Sequence, residues 1–314
     1  MDDVLFRWSF GTQDTVSMSP VSFEKYQNMI WFSKLSIASF QKFFPTAEYI
    51  LLYNGFNFDD FCQKFNEIPF EANCQIINQR SPDQKFENKY HFCPTGVWWK
   101  WLPFRLNKSK TEIAIDTDIV CINDPLSIKN WINSNRHILV APERYQDVIV
   151  NTCGDLYNHP ILKNKHPINC GIVGQKTGFD FSDRFFETSK LINFGKNQNS
   201  LFINEQGVIN VWARSLESDG FDLEVLDFKK NAWFRDFIYL HKTGVQIETL
   251  HSVMWYKDIV FLLKEIFEKK IFDNSYDMES FVFDILKKSS KMKTDFKNTI
   301  IRQIAALCNN FMRH

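Results

Sequence analysis

An apolar segment that ends in two aspartates, TEIAIDTDIVCINDP at residues 111–125, constrains the fold of this chain more than any other feature. The segment predicts a strand. Side chains two apart in a strand point to the same side, so Asp116 and Asp118 are expected to lie together. Two like charges this close repel each other unless a positive charge lies between them. The pattern predicts a cation site, and the alternative is an Asp-rich turn that caps the next segment.

Strands and helices alternate ahead of this segment. VLFRWSF predicts a strand, MIWFSKLSIASFQKFF a helix that ends at Pro45, and AEYILLYNG and CQIINQ two further strands. GVWWKWLPFRLN predicts a helix that Pro103 kinks or ends. This order is typical of an α/β protein with a doubly wound, mostly parallel sheet. Ligands bind such sheets beyond the carboxyl ends of the strands, where Asp116 and Asp118 follow.

The second half of the chain continues the pattern and then changes. HILVAPE, INCGIVG and FDLEVLDF predict strands, and SLFINEQGVINVWARS predicts a turn that leads into a helix. From about Asp258 the pattern is helical to the end. We therefore predict an α/β catalytic domain at residues 1–257 and a C-terminal helical extension at residues 258–314.

Composition narrows the class of protein. The 37 basic and 37 acidic residues give a formal net charge of zero, so no binding to nucleic acid is expected. The seven cysteines are odd in number and include no Cys-x-x-Cys pair, which indicates reduced thiols. The N-terminal segment lacks an apolar signal core, and no apolar run reaches the roughly 18–20 residues of a membrane span. We predict a cytoplasmic protein whose membrane contact, if any, is peripheral.

The segment IAIDTDIVCINDPLSI resembles the metal-binding segment of GT-A glycosyltransferases, in which a buried strand ends in Asp-x-Asp and an Asp-Pro follows. The upstream order of strand, helix, strand and aromatic helix resembles the same fold. The resemblance implies that Asp116 and Asp118 bind a divalent cation and that Thr117 contacts a nucleotide-sugar donor. Mn²⁺, or Mg²⁺, is the expected ion because hard cations prefer carboxylate and phosphate oxygens.

Two downstream segments extend the resemblance to glycosyltransferase family 8, which includes glycogenin and bacterial lipooligosaccharide galactosyltransferases. In NCGIVG, Asn169 would help to hold the donor sugar; the alternative is a core strand whose glycines allow tight packing. In NEQGVIN, Glu205 would bind sugar hydroxyls and Gln206 would lie closest to the anomeric carbon. Gly207 departs from the second Asp of the family. The alternative here is an ordinary helix N-terminus.

HSVMWYK, residues 251–257, is the third segment similar to the family. His251 and Lys257 keep the family's spacing, with His251 implied as a nitrogen ligand to the metal and Lys257 as a contact to the diphosphate. Met254 replaces the Gly of the family, so the backbone contact to phosphate made there is not carried over. The alternative for His251 is a histidine buried in the core.

Three more residues are implied at the donor site. Lys100, in WWKWLP, stands where the family carries a basic residue that faces the nucleotide-sugar, and the tryptophans around it are expected to pack in the core. Thr12 and Gln13 follow the first strand, where the GT-A fold receives the base and ribose.

The resemblance implies a metal-dependent glycosyltransferase that uses a nucleotide-sugar, UDP-sugar favoured, and a glycan, lipid-linked or protein hydroxyl as acceptor. Family 8 enzymes retain the anomeric configuration, whereas inversion would need a carboxylate base, for which Glu205 and Asp180 are candidates. IAIDTDIV also fits the haloacid-dehalogenase phosphatase motif, with Asp116 as nucleophile. An inactive nucleotide-sugar-binding module is the third hypothesis.

The tail combines an apolar stripe with basic residues. The stripe recurs every three or four residues and consists of Met292, Phe296, Ile300, Ile304, Leu307 and Phe311. One hypothesis is an interfacial helix on an anionic membrane surface near a lipid-linked acceptor. The other is a helix that packs on the catalytic domain or on a second subunit.

Overall fold

A computed structural model describes residues 3–11, 20–55, 57–79, 100–143, 153–192, 205–233 and 243–251. All of them lie in one unit of the chain, Met1–Val253. The strands are β1 (Val4–Gly11), β2 (Glu48–Asn54), β3 (Gln75–Asn78), β4 (Thr111–Ile115), β5 (Ile119–Cys121), β6 (Ile138–Pro142), β7 (Ile168–Gln175), β8 (Leu223–Val225), β9 (Asn231–Trp233) and β10 (Thr249–His251). The α-helices are α1 (Pro20–Phe43), α2 (Phe58–Glu67), α3 (Leu126–Asn133), α4 (Ser182–Ser189) and α5 (Glu205–Ser218).

Seven strands form a mixed sheet in the order β3-β2-β1-β4-β7-β6-β8. Strand β7 runs antiparallel to β4 and β6, and the other neighbouring strands pair in parallel. The mostly parallel α/β sheet predicted from the sequence is confirmed. The carboxyl ends of β1, β4 and β6 therefore lie at the same edge, which is the edge where ligands bind in open α/β sheets.

The sheet has an apolar layer on each face, and the alternation of side chains along β4 shows how they divide. Ile113 and Ile115 belong to the core under α1, α2 and α3, whereas Ala114 belongs to the core under α4 and α5. Every residue of β4 is buried. A strand buried on both faces is mostly apolar, as Ile113–Ile115 is here, and the buried Glu112 is paired with Arg7 at 2.8 Å. The apolar run is why this segment was recognisable as a strand.

Serines on α1 hold β5, the short strand that follows the two aspartates. Trp8 donates its indole N–H to Ser36 Oγ at 2.8 Å, and Ser36 donates to the carbonyl of Ile119. The amide of Cys121 donates to Ser39 Oγ at 2.9 Å. These hydrogen bonds pair polar groups that are buried between α1 and the sheet, so the chain leaving the two aspartates is fixed.

The helix predicted for GVWWKWLPFRLN is wrong for its described part. Lys100 and Trp101 form a 3₁₀ turn, and irregular chain with a cis Leu102–Pro103 peptide follows. Arg7 explains the irregular course, because its guanidinium donates to the carbonyls of Pro103 and Phe104, both at 2.9 Å. Those carbonyls are then not available for helical hydrogen bonds, and Pro103 has no amide hydrogen to offer.

A second, three-stranded sheet, in the order β5-β10-β9, was not predicted. Strand β10 pairs antiparallel with β5, so that His251 lies opposite Ile119. On its other side β10 pairs in parallel with β9, and His251 lies opposite Trp233. This small sheet brings His251 beside the turn that precedes β5.

Helix α5 approaches the chain at Cys153 too closely for a side chain on its third residue. A Cβ atom on Gly207 would lie within 3.1 Å of three backbone atoms of Cys153. The glycine that departs from the family's pattern therefore has a steric reason in this chain. An aspartate at this position would require the backbone near Cys153 to move.

The predicted domain boundary at residue 257 and the helical extension at 258–314 lie outside the described residues, so both stay predictions. Within the part of the chain that the structure describes, no helix has the length and apolar character needed to cross a membrane.

We expect Gly207→Ala to destabilise the protein by about 1–3 kcal/mol, because a methyl group forced against fixed backbone shifts its surroundings. Urea denaturation followed by tryptophan fluorescence measures the change. Ser218→Ala, at the exposed end of the same helix, is the matched control and should change the free energy of unfolding by no more than about 0.5 kcal/mol. Equal stability of Gly207→Ala and the original protein would contradict the close approach.

Candidate active site

The two aspartates lie in a tight turn between β4 and β5 rather than on one face of a strand. Strand β4 ends at Ile115. The amide of Asp116 donates to the carbonyl of Gly171 at 2.8 Å, and the amide of Ile119 donates to the carbonyl of Asp116 at 3.1 Å. The turn, not the alternation of a strand, therefore brings the two carboxylates together.

Asp116, Asp118 and His251 form the group of potential metal ligands found among the described residues, with ligand atoms that all lie within 4.8 Å of one another. Ligands on opposite sides of an ion at about 2.1 Å are about 4.2 Å apart, so these atoms need only small shifts to share one ion. Two carboxylates and one imidazole leave coordination positions open for phosphate oxygens. The donor set fits Mn²⁺ or Mg²⁺, and the nitrogen favours Mn²⁺ over Ca²⁺.

His251 is held by contacts on two sides. Its Nε2 lies 3.2 Å from Asp118 Oδ1. Its ring stacks on Trp233, with centroids 4.4 Å apart and planes 20° apart. Burial by itself lowers the pKa of His251, but the neighbouring Asp118 and Asp116 raise it above its ordinary value. The ring is therefore oriented towards the carboxylates before any ligand binds.

Lys100 lies on the other side of Asp116. Its ammonium donates to Asp116 Oδ1 at 2.5 Å and to the carbonyl of Cys170 at 2.7 Å, and it is 3.5 Å from Glu205 Oε1. The same nitrogen is 4.5 Å from the centroid of the Trp101 ring. Burial lowers the pKa of Lys100, but the two carboxylates outweigh burial and raise it. Lys100 therefore carries a fixed positive charge at the centre of the site.

Glu205 begins α5 and is buried against Lys100 and Trp101. The indole N–H of Trp101 donates to Glu205 Oε1 at 2.6 Å. Burial raises the pKa of Glu205, and Lys100 opposes that shift. The expectation that Trp101 packs in the core holds, since its side chain is fully buried, and its hydrogen bond to Glu205 is an additional role.

Gln206 and Asn169 share a partner that the sequence analysis missed. Both side-chain amides donate to Glu143 Oε2, each at 3.2 Å. Glu143 directly follows β6, whose carboxyl end lies at the same edge as that of β4. The acid at the end of HILVAPE was therefore a signal of the same kind as Asp116, because it follows a predicted apolar strand.

Asn169 also fixes the strand beside the aspartates. Its Oδ1 accepts the amide of Gly171 at 2.7 Å. A Cβ atom on Gly171 would lie 2.8 Å from Asn169 Oδ1, 2.8 Å from Ile119 Cδ1 and 3.2 Å from Asp116 Oδ2. The Asn-x-Gly pattern thus combines a short hydrogen bond with a position that has no room for a side chain.

The remaining predicted residues divide into three groups. Thr117 lies in the turn between the two aspartates, and its residue is only 8% exposed. Asp180 lies at the opposite edge of the sheet, where it pairs with Lys108 at 2.8 Å, so its suggested role as a base is wrong. Thr12, Gln13 and Lys257 lie outside the described residues, and their roles stay predictions.

Known proteins resemble this chain in structure but not in sequence. No family model matches the sequence, and no curated protein matches it. A bifunctional glycosyltransferase, WbbM, is 11% identical with a TM-score of 0.50, over 80% of this chain and 45% of that chain. This chain thus corresponds to less than half the length of WbbM.

Two further solved structures have slightly lower TM-scores. The galactosyltransferase LgtC, in complex with donor and acceptor sugar analogues, is 10% identical with a TM-score of 0.49, over 90% of this chain and 99% of that chain. Mouse xyloside xylosyltransferase 1 is 12% identical with a TM-score of 0.46, over 79% of this chain and 96% of that chain. Sequence identities this low support a similar fold and nothing further. The chain has the GT-A fold of nucleotide-diphospho-sugar transferases.

Proposed function

We propose that this protein is a metal-dependent glycosyltransferase that moves a sugar from a nucleoside diphosphate sugar, UDP-sugar favoured, to a hydroxyl of a glycan, lipid-linked or protein acceptor. One observation carries the proposal. Asp116, Asp118 and His251 converge within 4.8 Å at the carboxyl edge of a GT-A sheet, although His251 is distant from the aspartates along the chain. A purely structural turn would not need the imidazole.

The three residues would hold Mn²⁺ or Mg²⁺, which when bound neutralises the charge that develops on the departing diphosphate. Lys100 supports this arrangement in two ways. Its ammonium fixes the orientation of the Asp116 carboxylate. It also adds a permanent positive charge at the edge where an anionic donor would bind.

The arrangement of carboxylates favours transfer with retention. In a retaining reaction the acceptor hydroxyl attacks from the leaving-group face, and its proton passes to the departing phosphate. Gln206 then positions the reacting groups, because a side-chain amide cannot act as a base. Glu205, proposed to bind sugar hydroxyls, is engaged by Lys100 and Trp101 and is not a free base. Glu143 is the carboxylate that contacts Gln206, and inversion would depend on it.

The two other hypotheses have less support. A haloacid-dehalogenase phosphatase carries its nucleophilic aspartate on the first strand of its domain, whereas Asp116 follows β4 in a GT-A sheet. An inactive nucleotide-sugar-binding module would use the metal ligands as well, but it would not need Gln206 held beside them by Glu143. We therefore favour the transferase.

Donor binding is tested first by thermal unfolding with UDP or GDP, each with Mn²⁺ or with EDTA. We expect UDP with Mn²⁺ to stabilise the protein by about 2.7 kcal/mol at a nucleotide concentration one hundred times Kd. EDTA should remove most of the effect. A GDP-specific shift would change the donor class and leave the metal site in place.

Two variants test whether the stabilisation by UDP and Mn²⁺ arises at the candidate metal site. Asp118→Ala should abolish the Mn²⁺-dependent stabilisation, whereas Asp222→Asn, which changes an exposed carboxylate outside the site, should keep it. No stabilisation with UDP, GDP or intact nucleotide-sugars in the original protein would refute the proposed function.

The anomeric outcome is tested by proton NMR of the product, whose H1–H2 coupling constant reports the configuration. We expect retention, and we expect Gln206→Ala to lower kcat by about 10²-fold or more while Mn²⁺-dependent UDP binding remains, since its role concerns the transition state. An inverted product, together with loss of activity in Glu143→Gln, would instead identify Glu143 as a base.

A further inference from the structure

A cavity of about 920 Å³ lies between the segment of residues 157–167 and Phe228, with Glu143 and Asn210 on its wall. This volume is in the upper part of the range for sites that bind small molecules, about 300–1,000 Å³. Glu143, the partner of Asn169 and Gln206, lines the cavity, whereas Asp116, Asp118 and His251 do not. The cavity is therefore a separate space that borders the candidate active site.

Two wall residues connect the cavity to Gln206. Glu143 Oε2 accepts the side-chain amide of Gln206 at 3.2 Å. Asn210, one turn further along α5, donates to the main-chain carbonyl of Gln206 at 2.8 Å. A molecule in the cavity would thus contact the Glu143 carboxylate, which holds the side chain of Gln206, the residue that we propose lies nearest to the anomeric carbon.

The outer wall is an ordered segment with its own hydrogen bonds. The turn at Pro160–Leu162 is closed by the amide of Leu162, which donates to the carbonyl of His159 at 2.9 Å. Arg214 on α5 donates to the carbonyl of His166 at 2.7 Å. An internal turn and one anchor to α5 near its C-terminal end therefore shape this wall.

Two lysines and one carboxylate lie among the described residues that line the cavity. These are Lys163, Lys165 and Glu143, so the lining carries one formal positive charge. Lys165 is partly neutralised by Glu217 at 3.1 Å. A site of this kind attracts carboxylate or phosphate groups.

Two exposed aromatic side chains face the same cavity. Tyr157 and Phe228 are each 39% exposed, and they are two of the four large hydrophobic side chains that are exposed among the described residues. Exposed apolar groups gathered at one place mark binding surfaces. Flat aromatic rings offer the C–H face of a sugar ring an apolar contact, which lysines alone would not provide.

We propose that this cavity is the acceptor site and that the acceptor is an anionic saccharide, one that carries carboxylate or phosphate groups. The inference rests on the proposed function and specifies its second substrate. An acceptor hydroxyl at the Glu143 end forms a bond to the anomeric carbon as the bond from that carbon to the diphosphate oxygen breaks. The hydroxyl proton leaves on the departing phosphate. The anionic groups lie towards Lys163, and a sugar ring packs on Tyr157 or Phe228.

Isothermal titration calorimetry of the full chain, saturated with UDP and Mn²⁺, tests the proposal with three probes. These are a hexagalacturonate, a mannopentaose monophosphate and neutral maltohexaose. We expect at least one anionic probe to bind about tenfold or more tightly than maltohexaose at low salt, with the difference shrinking as ionic strength rises. The two anionic probes distinguish carboxylate from phosphate. Equal affinity for all three probes, or no binding of either anionic probe, would overturn the inference.

Variants of the lining residues test whether the saccharide probes bind in this cavity. Lys163→Gln should weaken the anionic probe by up to about fivefold, as expected for one exposed ion pair, and Lys163→Arg should restore it. Phe228→Ala should weaken anionic and neutral probes alike. Lys42→Gln, which removes an exposed lysine at the end of α1, is the matched control and should have no effect. An unchanged affinity in both Lys163→Gln and Phe228→Ala would also overturn the inference.

The same samples separate the two levels of the proposal. If Mn²⁺-dependent UDP binding is present and anionic saccharides do not bind, the acceptor inference fails and the proposed function stands. If nucleotide binding itself is absent, the proposed function fails, and the acceptor inference fails with it.

Discussion

The ammonium group of Lys100 is the interaction on which the candidate site depends. It contacts Asp116 in the metal-binding turn, the Cys170 carbonyl in β7 and Glu205 at the start of α5. One buried cation thus joins the irregular chain before β4 to three other elements. Removing this charge would take the cation away from two neighbouring carboxylates, of which Glu205 would keep the indole N–H of Trp101. Breaking a buried ion pair in this way is strongly destabilising. The same contacts of Lys100 therefore arrange the candidate site and join the elements around it.

The candidate metal site is assembled from two sheets. Asp116 directly follows β4 of the large sheet. His251 lies in β10 of the small sheet, which pairs with β5. Because β5 is also held by serines of α1, the imidazole is positioned by elements from both ends of the described chain. Geometry of this kind is fixed before the metal binds, which lowers the cost of ordering the ligands.

Periodicity and a single motif are enough to predict most of the large sheet and the position of Asp116 and Asp118. These signals are local: β4 contains the apolar run Ile113–Ile115 because both faces of the strand are buried, and α1 shows helical spacing. The predictions that failed depend on contacts between residues that are far apart in the sequence. The chain at Lys100–Phe104 is irregular because Arg7, far earlier in the sequence, donates hydrogen bonds to two of its carbonyls. Strands β9 and β10 have three residues each, too few to show a period. Glu143 was overlooked although it follows a predicted strand.

The contact between Gly207 and Cys153 has a consequence for how the two halves of the site communicate. Helix α5 carries Gln206 on the donor side and Asn210 on the cavity side, and Cys153, whose backbone contacts Gly207, lies four residues before Tyr157, where the wall segment of the cavity begins. Backbone meets backbone there, with no side chain to absorb a displacement. If a ligand in the cavity displaces this wall, the contact passes the displacement to the first turn of α5, and the affinities of the two sites then change by the same factor.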